Sequence, residues 1–157
     1  MLIQLIAVGK LKESWMRDGF AEYEKRLSRY CKFMLTELPE SRLPDDPNEA
    51  ETAAALEQEG KAILQAARGK IIALCIEGKP HSSEQLAAVL SQAGVTGDSA
   101  VSFVIGSSFG LSDAVKQRAG LRLSMSPMTF PHQLARVLLM EQIYRAFQIN
   151  AGGKYHK

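Results

Sequence analysis

Two segments of the chain are apolar at nearly every position, residues 70–76 (KIIALCI) and 100–105 (AVSFVI). A strand with one wet face alternates apolar and polar side chains, so runs without alternation belong in the middle of a parallel sheet covered by helices on both faces. The segments around them fit that demand. Residues 2–9 (LIQLIAVG) form a short apolar run ended by glycine, and Trp15, Met16, Phe20, Tyr23 and Leu27 follow at three- and four-residue spacings. This predicts a strand and then an amphipathic helix, with Trp15, Phe20 and Tyr23 as core. Residues 31–38 return to period-two alternation, whereas residues 39–48, with three prolines and two aspartates, contain too many breakers to be regular. A helix is expected over residues 49–68, with Leu56, Ile63 and Leu64 on one face and Gly69 as its stop. Further helices are expected over residues 83–92, capped by Ser82 or Ser83, over residues 111–119 and over residues 131–149, the last with proline in its first turn. A short strand over residues 120–125 completes the alternation. The expected class is α/β, a mainly parallel sheet with helices on both faces, and residues 1–157 carry no linker or repeat that would divide them.

Composition narrows the function classes. With 157 residues, 46% hydrophobic and 23% charged, the chain is long and apolar enough to bury a real core, which excludes disorder and disulfide-built scaffolds. No apolar stretch approaches the ~20 residues of a membrane span, and the apolar start meets Lys10 and Lys12 at once, so a cytoplasmic protein is expected. Cys31 and Cys75 stand alone, without the spacing of a metal site or a disulfide framework, and no metal is expected. Charge is uneven. Residues 1–36 carry seven Lys/Arg against four Asp/Glu, residues 37–115 five against twelve, and residues 116–157 seven against one, giving +3, −7 and +6. A basic C-terminal quarter suits a polyanion such as nucleic acid, or is simply a solvated helix face.

Ligands of open α/β sheets gather at the carboxyl ends of the strands, so the residues leaving each apolar run are informative. Three exits stand out: residues 74–79 (LCIEGK), where Gly78 permits a tight turn; residues 105–110 (IGSSFG), where glycines turn a strand into a helix; and residues 125–132 (MSPMTFPH), which run into the final helix. A glycine at such a junction lets a ligand approach the backbone closely. The GSSFG stretch matches neither GxGxxG nor GxxxxGK[ST], and taken by spacing alone it suits a structural turn as well as a cofactor cradle. A dinucleotide-dependent oxidoreductase would need the full glycine fingerprint after its first strand, where only Gly9 is present. A non-catalytic RNA-binding module would account for the basic tail but leave these exits without a ligand.

Over its whole length the chain resembles the ribosomal RNA large subunit methyltransferase H family, SPOUT-class enzymes that methylate a pseudouridine of large-subunit (23S) ribosomal RNA at N3. The resemblance rests on IAVGKLKE (residues 6–13), EYEKRL (22–27), EGKAIL (59–64), EGKPHSSE (77–84), FVIG (103–106), MTFPHQ (128–133), EQIYRAF (141–147) and the terminal YHK. Ser107 departs from it, since the family usually has a second glycine after FVIG. The resemblance implies a C-terminal trefoil knot, against the general rule that chains do not thread. It also implies a homodimer, S-adenosylmethionine as methyl donor, and ribosomal RNA in the large subunit or 70S ribosome as partner. A SPOUT enzyme acting on another RNA is the nearest alternative. Carried over by position, the implied cofactor contacts are Leu74, Gly106, Met125, Ser126, Pro127, Met128, Thr129 and Phe130, which lie on the three exits.

Methylation at N3 requires an imide proton to leave, and histidine is the base suited to neutral pH. His81 follows Pro80 in what looks like a surface loop. His132 adjoins the implied cofactor loop, and His156 lies between Tyr155 and Lys157 in the matching tail. The expected catalytic residues are therefore His156, Tyr155 and His132. Arg136, Arg145 and Lys157 are expected to bind substrate phosphates, unless Arg145 pairs with Glu141 four residues earlier. Leu134, Val137, Leu138, Ile143, Tyr144 and Phe147 give the last helix apolar residues on more than one face, which suits a dimer interface. Deletion of the last three residues is expected to cost no more than about 1 kcal/mol of stability.

Overall fold

The computed structural model describes all residues, 1–157. In chain order its elements are β1 (Leu2–Val8), α1 (Ser14–Leu27), β2 (Lys32–Leu38), α2 (Glu49–Ala66), β3 (Lys70–Pro80), α3 (Ser83–Val95), β4 (Ala100–Ile105), α4 (Asp113–Arg118), β5 (Leu121–Ser124) and α5 (His132–Asn150). The five strands form one parallel sheet in the order β2-β1-β4-β3-β5. The unbroken apolar runs occupy β3 and β4 inside it, as expected, and every residue of β4 is buried.

Period two sorts the core between the faces. Ile3, Leu5, Ile72 and Phe103 pack with Phe20, Leu90, Leu139 and Ile143 of α1, α3 and α5. Ile6, Val8, Ile71 and Val104 pack on the other face with Ile63 of α2 and Val115 of α4. Two polar side chains interrupt the apolar strands, and each is satisfied. Ser102 accepts from the Arg68 N–H at 2.9 Å and donates to Gln4 Oε1 at 2.8 Å, while Gln4 Nε2 donates to Thr36 and to the Ala66 carbonyl. This network joins β1, β2 and β4 to the end of α2 and meets the rule that buried polar groups must be paired. Capping boxes start α2 (Asn48 with Glu51) and α3 (Ser82 with Gln85), which selects Ser82 as the cap of α3.

Three expectations are corrected. The first exit is not a turn at Gly78, because β3 continues to Pro80: Leu74 and Lys79 both oppose Leu123 of β5, and residues 75–78 bulge out between them. Gly78 is required there because a Cβ would lie 2.7 Å from the Arg122 carbonyl oxygen, so the glycine serves close approach of two backbones. Trp15 is not core, being 58% exposed in the first turn of α1. Arg136, expected to reach substrate, points inward and is 1% exposed. Its guanidinium donates to Glu37 Oε2 at 2.7 Å and to the Gly9 carbonyl at 3.0 Å. Gly9 holds φ +90°, which favours glycine, and a Cβ there would sit 2.7 Å from Glu40 Oε1. Residues 125–131 thus carry the chain from the β5 edge to the ends of β1 and β2, where Lys12 N–H also donates to Gln133 Oε1 at 2.9 Å. No helix is long and apolar enough to cross a membrane.

Arg136→Met should destabilise the fold by about 3 kcal/mol, since it strands the Gly9 carbonyl and leaves Glu37 without its cation. Urea unfolding checks this, and a loss under about 1 kcal/mol would show that the pair is dispensable.

Candidate active site

The carboxyl ends of the strands carry two turns and one cleft. After β4, Ser107 and Gly110 bridge each other, with the Gly110 N–H donating to the Ser107 carbonyl at 2.9 Å and Gly110 at φ +89°. A Cβ on Gly106 would collide with the Gly110 carbonyl and the Leu111 side chain. The glycine therefore makes room first for the turn's own backbone, which revises the expectation that the space is kept for a ligand. After β5, Ser124 donates to the Ser126 carbonyl at 3.2 Å and the Met128 N–H donates to Ser126 Oγ at 2.9 Å. This local turn leaves Pro127, Met128 and Thr129 exposed, with Phe130 half-buried at the entrance to α5. Leu74 is half-buried inside β3 and packs on the core, short of the strand end.

Beside the second of these turns, between the amino end of α3 and α5, lies a cleft of about 240 Å³. Leu86, Leu123, Met125 and Leu139 make its apolar wall, and His81, Ser83 and Gln142 are among its polar groups. Met125 is the one expected cofactor residue that lines it. Ser83 donates to Gln142 Oε1 at 2.6 Å, and Gln142 Nε2 donates to Glu141. His81 Nδ1 lies 3.0 Å from the Lys79 carbonyl, so that nitrogen carries the proton and Nε2 is free to accept. His81, expected in a surface loop, thus belongs to the cleft. The available signal was its place between a strand end and a helix cap.

The tail folds back onto α5 and reaches the neighbourhood of this cleft. The Tyr155 ring meets Tyr144 edge-on at 4.9 Å and lies under the Arg145 guanidinium at 4.7 Å, and its hydroxyl donates to Glu141 Oε1 at 3.1 Å. Burial, helped by Tyr23 and Glu141, pushes the Tyr155 phenol up. Arg145 pairs with Glu141, so the alternative reading of that residue holds. His156 stands between Arg145 and Glu84, with Nδ1 3.3 Å from Arg145 Nη1 and Nε2 2.7 Å from Glu84 Oε1. An arginine only donates, so Nδ1 accepts and Nε2–H donates to Glu84: both nitrogens of a neutral imidazole are engaged. Glu84, in the first turn of α3, is pushed down to about 2 by its backbone N–H and then by His156 and Ser82. Lys157 is exposed, and His132, half-buried at the start of α5, lies 3.9 Å from Glu40. The structure gathers Tyr155, His156, Arg145, Glu141 and Glu84 into one group and leaves His132 apart from it.

Three buried side-chain atoms have no hydrogen-bond partner: Glu59 Oε2, Ser107 Oγ and Arg136 Nε. Ser107 follows the end of β4, Arg136 lies near the start of α5, and Glu59 is in the middle of α2. Groups left unpaired inside a fold mark places where something else binds or where strain is held.

The family model described as "Predicted SPOUT methyltransferase" matches residues 1–156. The chain is 52% identical over 159 residues to "Ribosomal RNA large subunit methyltransferase H" of Streptococcus thermophilus (strain CNRZ 1066), covering 100% of both chains. It is 48% identical, with the same coverage, to the protein of that name from Streptococcus mutans serotype c. Among solved structures it is similar in fold to a "Probable Methyltransferase from Bordetella pertussis Tohama I", with a TM-score of 0.53 and 17% identity over 92% of this chain and 95% of that one. An α/β sheet with its turns and cleft at the strand ends, together with a family match over nearly every residue, places this chain in the SPOUT methyltransferase family.

Proposed function

We propose that residues 1–157 form one knotted SPOUT domain that transfers a methyl group from S-adenosylmethionine to N3 of a pseudouridine in large-subunit ribosomal RNA, acting as a homodimer on assembled ribosomes in the cytoplasm. The observation that carries this reading is the 52% identity over full length to a ribosomal RNA large subunit methyltransferase H. The residues present suit the cofactor. An apolar wall with a few polar groups fits a purine, and about 240 Å³ is room for a base rather than for the whole molecule. The remainder falls to the turn at residues 106–110 and the exposed segment at residues 126–130, whose partnerless Ser107 hydroxyl has hydrogen-bonding capacity to spare.

The bound cofactor supplies an electrophilic methyl group on a sulfonium. Leu74, Gly106 and residues Met125, Ser126, Pro127, Met128, Thr129 and Phe130 would hold it, and their part would be to fix its orientation for an in-line transfer. For an imide with a pKa about two units above neutrality, forming the anion costs roughly 2.7 kcal/mol, which one placed base offsets. His156 is that base once Nδ1 exchanges Arg145 for the substrate. Glu84, already on Nε2–H, then stabilises the imidazolium that forms, and Tyr155 orients the tail. His132 is the base in reserve at the other end of the cofactor segment. Lys157 meets a phosphate, while Arg145, held by Glu141, keeps the tail in place. Trp15, 58% exposed, and Leu138, 36% exposed, lie on the paired helices α1 and α5, where a second copy would cover them.

The direct test incubates the protein and labelled S-adenosylmethionine with ribosomal particles lacking the modification. One methyl per particle on the pseudouridine is expected, and no transfer to particles or free ribosomal RNA would overturn the reading. Deletion of residues 155–157 removes an aromatic pair, a cation–π contact, the Tyr155 hydrogen bond and both His156 contacts, so stability should fall by roughly 1 to 2 kcal/mol, more than the sequence alone suggested. Methyl transfer should fall at least ~10²-fold while affinity for S-adenosylmethionine changes far less; full activity would move the base to His132. Binding to particles should weaken with salt. Arg136 is buried, and Lys116 and Arg145 are paired with Glu77 and Glu141, so the exposed Arg118, Arg122, Lys154 and Lys157 set a log–log slope of about −3 to −4. A flat salt response would remove the electrostatic part of the proposal.

A further inference from the structure

The carboxyl end of α1 and the far end of α5 enclose a cavity of about 480 Å³, separate from the cleft. Lys25, Arg29, Tyr30, Tyr144 and Gln148 are among its walls, and its one acid, Glu22, is taken up by Arg26 at 2.9 Å. Lys25 and Arg29 are exposed and have no ion pair. Gln148 Nε2 donates to the hydroxyls of both Tyr30 and Tyr144 at 2.8 Å, so each phenol keeps its own hydrogen for another acceptor. The Tyr30 ring is 38% exposed and is braced by Phe147 and Tyr144. The helix dipole by itself favours cations near the end of α1. It does not account for a cavity in which two cations and two phenols offer hydrogens while no carboxylate is free.

Donors with a flat ring beside them match a nucleotide: phosphate oxygens accept from the cations and phenols, and a base lies on the exposed ring. An acidic peptide would satisfy the cations and leave the ring without a partner. Position matters as much as chemistry. Tyr144 lines the cavity and meets Tyr155 edge-on at 4.9 Å, while His156, next in the chain, reaches Glu84 beside the cleft residue Ser83. The tail therefore lies between the two hollows, and an RNA strand seated in the cavity approaches His156 from the side away from the cleft. Trp15 and Leu138, where a second copy would sit, are at the other end of the helix pair, since Gly19 faces Val137 whereas Tyr30 meets Tyr144 and Phe147. Leu138 and Gln148 are roughly 15 Å apart along α5, so a dimer made through the first end need not cover the cavity. We propose that Lys25, Arg29, Tyr30 and Tyr144 bind a nucleotide flanking the target in a single-stranded segment of the substrate RNA, with its phosphate on the cations and phenols and its base on Tyr30. This rests on the reading of the chain as an RNA methyltransferase, and it adds a contact that the basic C-terminal quarter does not supply.

The test follows methyl transfer by the full-length protein to ribosomal particles lacking the modification. Lys25→Ala/Arg29→Ala should raise KM for the particles by about tenfold or more, the scale of charge-assisted hydrogen bonds, with kcat and affinity for S-adenosylmethionine unchanged. Tyr30→Phe, which removes one hydroxyl and keeps the ring, should raise KM by a smaller factor. On single-stranded RNA each phosphate contact adds about −0.7 to the log–log salt slope of binding, so the double variant should bind with a slope shallower by about 1.4. Lys25→Arg/Arg29→Lys keeps both charges and should restore most of the lost binding. Arg42→Ala/Arg68→Ala removes two exposed cations next to α2, on the other face of the sheet, and should change neither KM nor slope. The substituted cations are all exposed, so thermal midpoints should stay within a few degrees of the wild type. Equal effects of the two alanine pairs would mean that only net charge is felt and would overturn the proposal, as would an unchanged KM. A smaller sedimenting mass for Lys25→Ala/Arg29→Ala would assign the cavity to contact between copies and overturn it as well. A wild-type protein that methylates no particle would instead overturn the methyltransferase reading, and this inference with it.

Discussion

A buried guanidinium fixes the geometry of everything above the sheet. Arg136 holds Glu37 at the end of β2 and the Gly9 carbonyl just past the end of β1. Burying this cation is costly and is compensated only by partners in good geometry, so α5 must begin over these two strands. The chain leaves β5 at the opposite edge of the sheet, and residues 125–131 have to lie across the carboxyl ends of the strands between. The segment that resemblance assigns to the cofactor is thus held by its two ends, a strand edge on one side and a buried ion pair on the other. Its middle, from Pro127 to Thr129, is left exposed.

The same constraint sets where α5 ends and what its tail can reach. With its first turn anchored, α5 packs against α1 and α3. This brings Glu141 and Gln142 beside Ser83 and Glu84 at the amino end of α3, and the tail needs only to fold back for His156 to meet Glu84. Cleft and tail share that helix end. Ser83 and Gln142 are bonded within the cleft, while Glu84 and Glu141 hold His156 and Tyr155.

Much of this was readable from the sequence because it depends on local periodicity. The unbroken apolar runs of β3 and β4, the helical spacing of Phe20, Tyr23 and Leu27, and the breakers after β2 are properties of neighbouring residues. The misreadings concern partners far apart in the chain. Gly78 looked like a turn because its real constraint is the backbone of β5 more than forty residues later. Arg136 looked like a phosphate ligand because nothing nearby in sequence shows Glu37 and Gly9 waiting for it. Glu59 drew no attention beyond its place in a motif, since an acid in a polar helix is ordinary until its burial is seen. The tail's identity was recognised from family resemblance, but its docking on Tyr144 and Glu141 is a tertiary fact.

The distribution of polar satisfaction separates framework from site. Deep in the sheet, Gln4 and Ser102 find partners on four elements, and that network has no spare capacity with which to hold a ligand. Elsewhere the opposite holds: a carboxylate oxygen in α2, a hydroxyl just after β4 and a guanidinium nitrogen in α5 are buried without partners. Each unpaired group of this kind costs on the order of 1–3 kcal/mol, a large share of the 5–15 kcal/mol by which a domain of this size is stable. Random imperfection would scatter such groups through the core. Ser107 follows Gly106 and Arg136 anchors the far end of residues 125–131, both parts of the chain that family resemblance assigns to the cofactor, and a fold that keeps polar groups ready for a ligand gives up local stability in such places.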